Sequence, residues 1–226
     1  MSSEPDRAAV VALLRELGAR LAARSIEADV YVVGGAAMLL AYNRAVVTRD
    51  IDAVTEQQAE VEAEAQAMAV DRGDLDRDWF NGRVKPLIPL VFDAGQVEAF
   101  HAPGITVSIA SPTHLLAMKV RAARGLRDLD DIALLSEIIG IQSLEQIWAI
   151  ADEVWGPGMV REESRLLVGE FLLARGMAVG DAAPATRSDT RRGEAGGFTF
   201  CSGATSAGAP CSRRVAPGTR CWQHRT

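Results

Sequence analysis

The sequence contains little of what marks several common protein classes. It has 5% aromatic residues, 3 cysteines in 226 residues and a net charge of -6. No basic start followed by a short apolar core opens the chain, and no apolar run reaches the length of a membrane span. These features argue against a disulfide-stabilised secreted scaffold, a membrane protein and a uniformly basic nucleic-acid binder. We therefore expect a cytoplasmic protein with no membrane association.

Two common nucleotide-binding motifs are also missing. The chain has neither G-x-G-x-x-G nor G-x-x-x-x-G-K-[ST], which disfavours a Rossmann or P-loop protein. What it has instead is 48% hydrophobic residues, dominated by Ala, Val and Leu. This composition suits helices packed on a sheet, so we predict an α/β (α+β) fold with a small mixed sheet flanked by helices.

Apolar periodicity predicts the order of elements. A helix over about 6–24 precedes a buried strand, "ADVYVV", a Gly-Gly turn, the helix "AAMLLAY" and a strand containing "DIDAV". Thr55 is a plausible N-cap for the next helix, and two alternating runs around Ala102-Pro103-Gly104 predict a hairpin. Ser111-Pro112 begins a helix that Gly125 ends. Three further helices are predicted, the last two over about 143–154 and 158–176.

Charge and composition divide the chain into parts. From Arg187 onward seven arginines face Asp189 and Glu194, so this segment carries +5 and the remainder carries -11 of the total -6. We predict a main domain over 1–140, a helical extension packed on it over 141–178, a flexible linker over 179–197 and a small zinc-binding module over 198–226.

Asp50 and Asp52 are the first candidate site residues. Residues i and i+2 of a strand point to the same face, so the two carboxylates lie side by side. Because like charges repel at that distance, a hard dication such as Mg²⁺, shared with substrate phosphates, would stabilise the pair. The simpler interpretation is a surface or helix-capping pair.

Gly34 and Gly35 are the second candidates. A strand that ends in two glycines before a helix exposes backbone N–H groups, and a helix N-terminus favours an anion. One turn can thus hold a triphosphate while the next strand holds its metal ion. A tight turn without any ligand is the simpler alternative.

These residues resemble a known family. "VVGGAAMLLAYNRAVVTRDIDAV" is similar to the signature of the nucleotidyltransferase (polymerase β-like) superfamily, most of all its minimal prokaryotic branch of AbiEii-type toxins and related domain-of-unknown-function proteins. Thr48, Asp50 and Asp52 match the "T-x-D-[IL]-D" element. "SPTHLLAMKVRAARGLRDLDDI" resembles the downstream block of that branch, through Pro112, Leu115, Lys119, Arg124, Arg127, Asp128 and Asp131. The resemblance covers roughly 28–140.

The resemblance implies a fold and a set of roles. The fold would be that of the nucleotidyltransferases, Asp50 and Asp52 would bind catalytic Mg²⁺, and Lys119 would contact a phosphate oxygen. The nucleotide-binding set would be Gly34, Gly35, Thr48, Lys119, Arg124, Asp128 and Asp131, with Asp128 or Asp131 orienting Lys119 or Arg127. Without the resemblance, the simpler interpretation is that Lys119 is a solvated residue of an amphipathic helix and that Asp128 and Asp131 belong to an ordinary helix start.

The sequence departs from the family at the third carboxylate. The wider superfamily uses one as general base, and the candidates here are Glu98 and Asp93. "DWFNGRVK" resembles a "W-[LF]-N-D-x-x-K" stretch of relatives, but Gly82 stands where an aspartate is expected. Either the metal site is complete with two carboxylates, or the enzymatic activity of the protein is reduced.

The C-terminus carries a separate metal-binding pattern. Cys201, Cys211, Cys221 and His224 follow a C-x9-C-x9-C-x2-H spacing, a Cys₃His set that suits structural Zn²⁺. The pattern is similar to a small zinc-binding motif at protein termini in bacteria and viruses. Four arginines and Trp222 among the ligands suit single-stranded nucleic acid, and a protein contact or a purely stabilising role is an equal alternative.

Together these observations lead to an expected function. The main expectation is a Mg²⁺-dependent nucleotidyltransferase that moves a nucleoside monophosphate from an NTP to RNA, such as a tRNA 3′ end, or to protein. The resemblance implies a toxin–antitoxin context with an antitoxin partner. The alternatives are a catalytically silent nucleotide-binding descendant and a nucleic-acid-binding adaptor that acts through the zinc tail.

Overall fold

The computed structural model describes residues 6–42 and 50–180, together with the backbone of two short strands. Within these ranges the chain forms a mixed α/β fold with seven α-helices and a five-stranded sheet. The helices are α1 (Arg7–Ala23), α2 (Gly34–Tyr42), α3 (Gln58–Arg72), α4 (Pro112–Ala122), α5 (Leu126–Ile139), α6 (Leu144–Trp155) and α7 (Glu162–Ala174). The sheet strands are β1 (Ala28–Val32), β2 (Ile51–Val54), β3 (Phe80–Asn81), β4 (Val97–Ala102) and β5 (Ile105–Ile109); β6 (Thr199–Phe200) and β7 (Arg214–Val215) form a separate antiparallel ribbon.

The strands of the main sheet follow the order β3-β2-β1-β5-β4. Strand β1 pairs antiparallel with β2 and parallel with β5, while β2 and β3 are parallel. Strands β4 and β5 form the antiparallel hairpin expected around Pro103-Gly104. The sequence-based prediction of a mixed sheet flanked by helices is therefore confirmed.

The sheet has two unlike faces because its residues alternate in polarity. The core face is apolar and fully buried, with Val30, Val32, Ala53, Ile105 and Val107 among its residues. The opposite face, here called the open face, is mainly polar, and its residues are half-buried or exposed except for the buried Thr106. Its members include Asp29 and Tyr31 of β1, Asp52 of β2, Thr106 and Ser108 of β5, and Glu98 and His101 of β4.

Two glycines allow α1 to pack closely on the β4–β5 hairpin. Gly104 adopts φ +75°, and a Cβ there would lie only 2.1 Å from the carbonyl oxygen of Gly18 in α1. A side chain at either position would force the helix away from the sheet. The core face is thereby covered, and the open face is left for polar residues.

The helices after the sheet extend from the end of β5. Ser111 caps α4 through its hydroxyl, which accepts from the N–H of His114 at 3.2 Å. Helices α6 and α7 pack on α4, and the indole of Trp155 donates to the carbonyl of Ala117 at 3.0 Å. No helix among the described residues is both long and apolar enough to cross a bilayer.

One predicted helix boundary was wrong. Helix α3 begins at Gln58 with Gln57 as its N-cap, so Thr55 is not the cap. Thr55 instead donates its backbone N–H to the Gln58 side chain at 3.1 Å. The cause is local competition: a glutamine amide oxygen reaches back to the free N–H before the helix starts.

Candidate active site

The glycine turn and the aspartate strand meet in space. Gly34 adopts φ +65°, and a Cβ at this position would lie 3.1 Å from Oδ2 of Asp52. The N–H of Val33 donates to the carbonyl of Asp52 at 3.0 Å and continues the β1–β2 pairing. The first N–H groups of α2, at Gly34 and Gly35, therefore open beside the Asp52 carboxylate.

Asp52 sits in an unfavourable environment for a carboxylate. It is half-buried on β2, and burial raises its pKa above the ordinary value. The negative charge of Asp50 raises that pKa further, whereas the charges of Arg83 and Lys119 and a hydrogen bond from Asn81 lower it. The ionised pair is thus held together against mutual repulsion, which a dication would relieve.

Asn81 is a site residue that the sequence interpretation missed. It is buried at the end of β3 and lies opposite Asp52 in the parallel register. Its Nδ2 lies 3.5 Å from Oδ2 of Asp50, a long contact, and its Oδ1 accepts from the backbone N–H of Arg83 at 3.1 Å and from that residue's Nε at 3.2 Å. The sequence feature that could have identified Asn81 is its position as a polar residue directly after the buried pair Trp79-Phe80. Its pairing with β2 leaves no pattern in the sequence.

The surroundings of Gly82 suit a glycine at this position. A Cβ at Gly82 would lie 2.3 Å from Nε2 of Gln58, and the Gly82 N–H donates to Glu62 at 2.6 Å. A side chain here would collide with α3 and would not point toward Asp50 and Asp52. Asn81, not Gly82, is therefore the residue of this stretch that faces the carboxylate pair.

Lys119 joins the site to helix α5. Its Nζ lies 2.9 Å from Oδ1 of Asp128 and 2.8 Å from Oδ2 of Asp131, and Asp131 is fully buried. Two carboxylates thus hold one ammonium at a position from which its charge still acts on Asp52. The lysine is a structural ion-pair partner as well as a cation at the site.

The two candidates for a third carboxylate lie on the edge strand β4 and in the loop before it. Glu98 is exposed on β4, three strands from β2 and hence about 14 Å away at ordinary strand spacing. Asp93 is buried, and its Oδ2 accepts from the hydroxyl of Tyr31 and the N–H of Ser111, both at 2.7 Å. Its other oxygen accepts from the N–H of Gly95 at 3.1 Å. Neither residue lies beside the Asp50–Asp52 pair.

The remaining predicted residues are either exposed or outside the described ranges. Arg124 is exposed at the turn between α4 and α5, and Arg127 is exposed in the first turn of α5. Thr48 lies outside the described residues. So do all four predicted zinc ligands, Cys201, Cys211, Cys221 and His224.

The carboxylate pair has a donor set that suits magnesium. Mg²⁺ in proteins is usually bound through one or two carboxylates, with phosphate oxygens and water completing its octahedron. Within residues 6–42 and 50–180, no cluster of three or more His, Cys, Asp or Glu side chains is positioned to hold a metal ion by itself. Asp50 and Asp52 therefore fit a dication that arrives with, or is completed by, a phosphate ligand.

Comparisons with known proteins leave the site to be interpreted from its geometry alone. No protein-family model, curated protein or solved structure is significantly similar to this chain.

Proposed function

We propose that this protein is a Mg²⁺-dependent nucleotidyltransferase with a nucleotidyltransferase-type fold. The observation that carries the proposal is the convergence of a helix-opening glycine turn, the carboxylate of Asp52 on β2, the carboxylate of Asp50 directly before that strand, and a lysine. The Asp52 carboxylate lies against Gly34, and the charges of Asp50, Lys119 and Arg83 all act on it. An anion-binding turn beside a dication-binding pair is the combination that phosphoryl transfer requires.

The protein's own groups would bind and position the nucleotide. The N–H groups of Gly34 and Gly35 offer donors to phosphate oxygens at a helix N-terminus, where no side chain blocks their approach. Lys119 supplies a positive charge whose position is fixed by Asp128 and Asp131. Arg83, whose Nε donates to Oδ1 of Asn81 at 3.2 Å, supplies a second positive charge that acts on Asp52.

The reaction balances without a covalent enzyme intermediate. An acceptor hydroxyl oxygen bonds to the α-phosphorus, the bond from that phosphorus to the bridging oxygen breaks, pyrophosphate leaves, and the hydroxyl proton passes to solvent. Bound Mg²⁺ would neutralise phosphate charge and polarise the α-phosphoryl group. Asp50 and Asp52 would hold that ion, and the turn at Gly34 would set the nucleotide against it.

A second function is favoured by one observation. Asn81, a neutral amide, occupies the strand position that faces Asp52, and the acids Glu98 and Asp93 lie away from the pair. A site with this deficit could bind Mg²⁺–nucleotide without transferring it. Such a protein would act as a nucleotide-dependent adaptor, with an antitoxin-like protein or RNA as its partner.

We also propose that the C-terminal segment binds structural zinc. The proposal is supported by the spacing of Cys201, Cys211, Cys221 and His224. Protein purified without chelator should contain one Zn²⁺ per chain by elemental analysis. A fourfold Cys/His replacement that retains the same zinc content would exclude these ligands.

The transferase proposal is tested by labelling. Full-length protein is incubated with each α-labelled NTP, Mg²⁺ and either total RNA or cell extract, in parallel with Asp52→Asn. We expect transfer by the wild type that requires Mg²⁺ and is lost in the variant, because the exchange removes one ligand charge with little change in volume. Nucleotide binding without any transfer would favour the adaptor, and equal transfer by both proteins would remove Asp52 from the site.

A further inference from the structure

The loop between β3 and β4 exposes several large apolar side chains close together. Within six consecutive positions, each at least 49% exposed, lie Leu87, Leu90, Val91 and Phe92. Val84 and Pro89 of the same segment are buried, so the loop is seated on the fold through these residues. Single exposed apolar residues need no explanation, whereas a contiguous exposed set indicates a binding surface. Residues 84–92 are here called the apolar loop.

The first end of the apolar loop lies at the carboxylate pair. Asn81 faces Asp52 across the β2–β3 pairing, and its Nδ2 lies 3.5 Å from Oδ2 of Asp50. The backbone N–H of Arg83 donates to Oδ1 of Asn81 at 3.1 Å, and the charge of Arg83 acts on Asp52. A short 3₁₀ turn over Lys85–Leu87 follows. The apolar loop therefore begins directly beside the candidate metal site.

The second end of the apolar loop is fixed near the glycine turn. Asp93, which follows the loop, accepts from the hydroxyl of Tyr31 and from the N–H of Ser111, both at 2.7 Å. Ser111 and Gly34 each lie two residues beyond the last paired residue of β5 and β1, which are parallel neighbours about 5 Å apart. The carboxylate of Asp93 thus lies at the end of the sheet where the glycine turn begins α2.

The two ends of the apolar loop enclose the candidate site. In the strand order β3-β2-β1-β5, Asp52 on β2 and Gly34 after β1 lie between the β3 end and the β5 end of the loop. A nucleoside attached to phosphates at this position extends from a site that the loop borders on both sides. The faces of a nucleobase are apolar and stack on aromatic rings, and Phe92 is the aromatic residue of the loop.

We propose that the apolar loop binds the nucleobase of the NTP, with the ring of Phe92 stacked on the base and Leu90 and Val91 in apolar contact with the nucleoside. This inference rests on the proposed nucleotide site and assigns the part of the ligand that the phosphate and metal contacts leave unbound. The loop is already held in place, since the carbonyl oxygen of Val91 lies 3.1 Å from Nε2 of His114. A surface that is fixed before binding loses little conformational entropy when the ligand arrives.

The test measures binding by calorimetry with the full-length protein and two probes, each with Mg²⁺. One probe is a non-hydrolysable ATP analogue, and the other is inorganic tripolyphosphate, which carries the phosphates without a nucleoside. Phe92→Ala should weaken binding of the ATP analogue by about fivefold or more, the scale of one lost base–aromatic stack, and leave tripolyphosphate affinity unchanged. Phe92→Trp should retain the affinity for the ATP analogue because it keeps an aromatic face.

A matched pair of leucines provides the control. Leu90→Ala should weaken binding of the ATP analogue and spare that of tripolyphosphate. Leu166→Ala makes the same exchange at an exposed position of α7 and should change neither affinity. Both leucines are exposed, so both variants should melt within a degree or two of the wild type.

The outcomes separate this inference from the proposed function. Wild-type affinity of Phe92→Ala for the ATP analogue, as expected if the loop binds a protein partner instead, would overturn the base contact and leave the proposed function intact. An equal loss of affinity for both probes would place the effect on the phosphate site and would also overturn it. Wild-type protein that binds neither probe in the presence of Mg²⁺ would overturn both proposals.

Discussion

Two buried or half-buried aspartates of this protein, Asp93 and Asp52, have opposite surroundings. Asp93 receives hydrogen bonds from the hydroxyl of Tyr31 and from two backbone N–H groups, and Nδ1 of His114 lies 3.3 Å from its Oδ1. Burial raises the pKa of Asp52, and the negative charge of Asp50 raises it further. Burial with matched donors stabilises a charge, whereas burial beside a like charge leaves a cost that Arg83, Lys119 and Asn81 offset only in part and that a dication would relieve further. We infer that Asp93 serves the fold and Asp52 serves the ligand.

The largest effect that the comparison predicts is at Asp93. Asp93→Ala leaves Tyr31, Ser111 and Gly95 without their shared acceptor, and should lower the free energy of unfolding by about 3–5 kcal/mol, the scale for breaking a buried charge pair. Urea unfolding at pH 7 measures it. The control Glu153→Ala, at an exposed helix position, should stay within about 0.5 kcal/mol of the wild type. If Asp93→Ala lowers the free energy of unfolding by no more than the control does, Asp93 has no structural role.

A smaller effect is expected at the donor to that carboxylate. Burial raises the pKa of Tyr31, and the negative charge of Asp93 raises it further. The phenol therefore stays protonated and donates to Oδ2 of Asp93 at 2.7 Å. Tyr31→Phe should cost about 1.5–3 kcal/mol, the range for a hydrogen bond to a charged group. In the Asp93→Asn background the same exchange should cost clearly less, and a double-mutant cycle by urea unfolding would detect this. Full additivity of the two changes would mean that the contact contributes nothing.

Removing the charge of Asp52 should raise the stability of the fold, whereas removing that of Asp93 lowers it. A carboxyl group whose pKa is raised in the fold is favoured there in its protonated form, so its contribution to stability is present below the ordinary aspartate pKa and is lost as pH rises through the raised folded pKa. Without metal or nucleotide, Asp52→Asn should therefore raise the melting temperature at pH 7 by no more than about 2–4 °C, equivalent to about 1 kcal/mol.

The pH dependence of that gain provides its control. The difference between Asp52→Asn and the wild type should shrink as pH falls and vanish below the ordinary aspartate range, where the wild-type carboxyl group is protonated in both states. A variant that is less stable than the wild type at every pH would show that Asp52 is a structural carboxylate like Asp93.

The sequence was sufficient for the order of most elements and for placing the glycine turn one helix before the strand that carries Asp52. Alternation in "ADVYVV" and "DIDAV" is local, and residues i and i+2 of a strand necessarily share a face. The hairpin at Pro103-Gly104 and the cap at Ser111 are likewise encoded within a few residues.

The missing parts depend on pairing between distant strands. Asn81 faces Asp52 only because β3 pairs in parallel with β2, and Asp93 meets Tyr31 only because the loop before β4 folds over β1. Neither register leaves a local pattern in the chain. For the same reason the sequence alone left Glu98 and Asp93 as equal candidates for a third carboxylate. The strand order places Glu98 far from the site, and the carboxylate of Asp93 accepts hydrogen bonds from Tyr31, Gly95 and Ser111.

The most direct test of the central claim is the melting temperature of the wild type and of Asp52→Asn, each with and without Mg²⁺ and a non-hydrolysable NTP. If Asp50 and Asp52 form a site for a metal–nucleotide ligand, the wild type should gain about 5–10 °C at a ligand concentration near 100 times its dissociation constant. The variant should start slightly higher and gain almost nothing from the same addition. An equal gain in both proteins, or no gain in the wild type, would contradict the account.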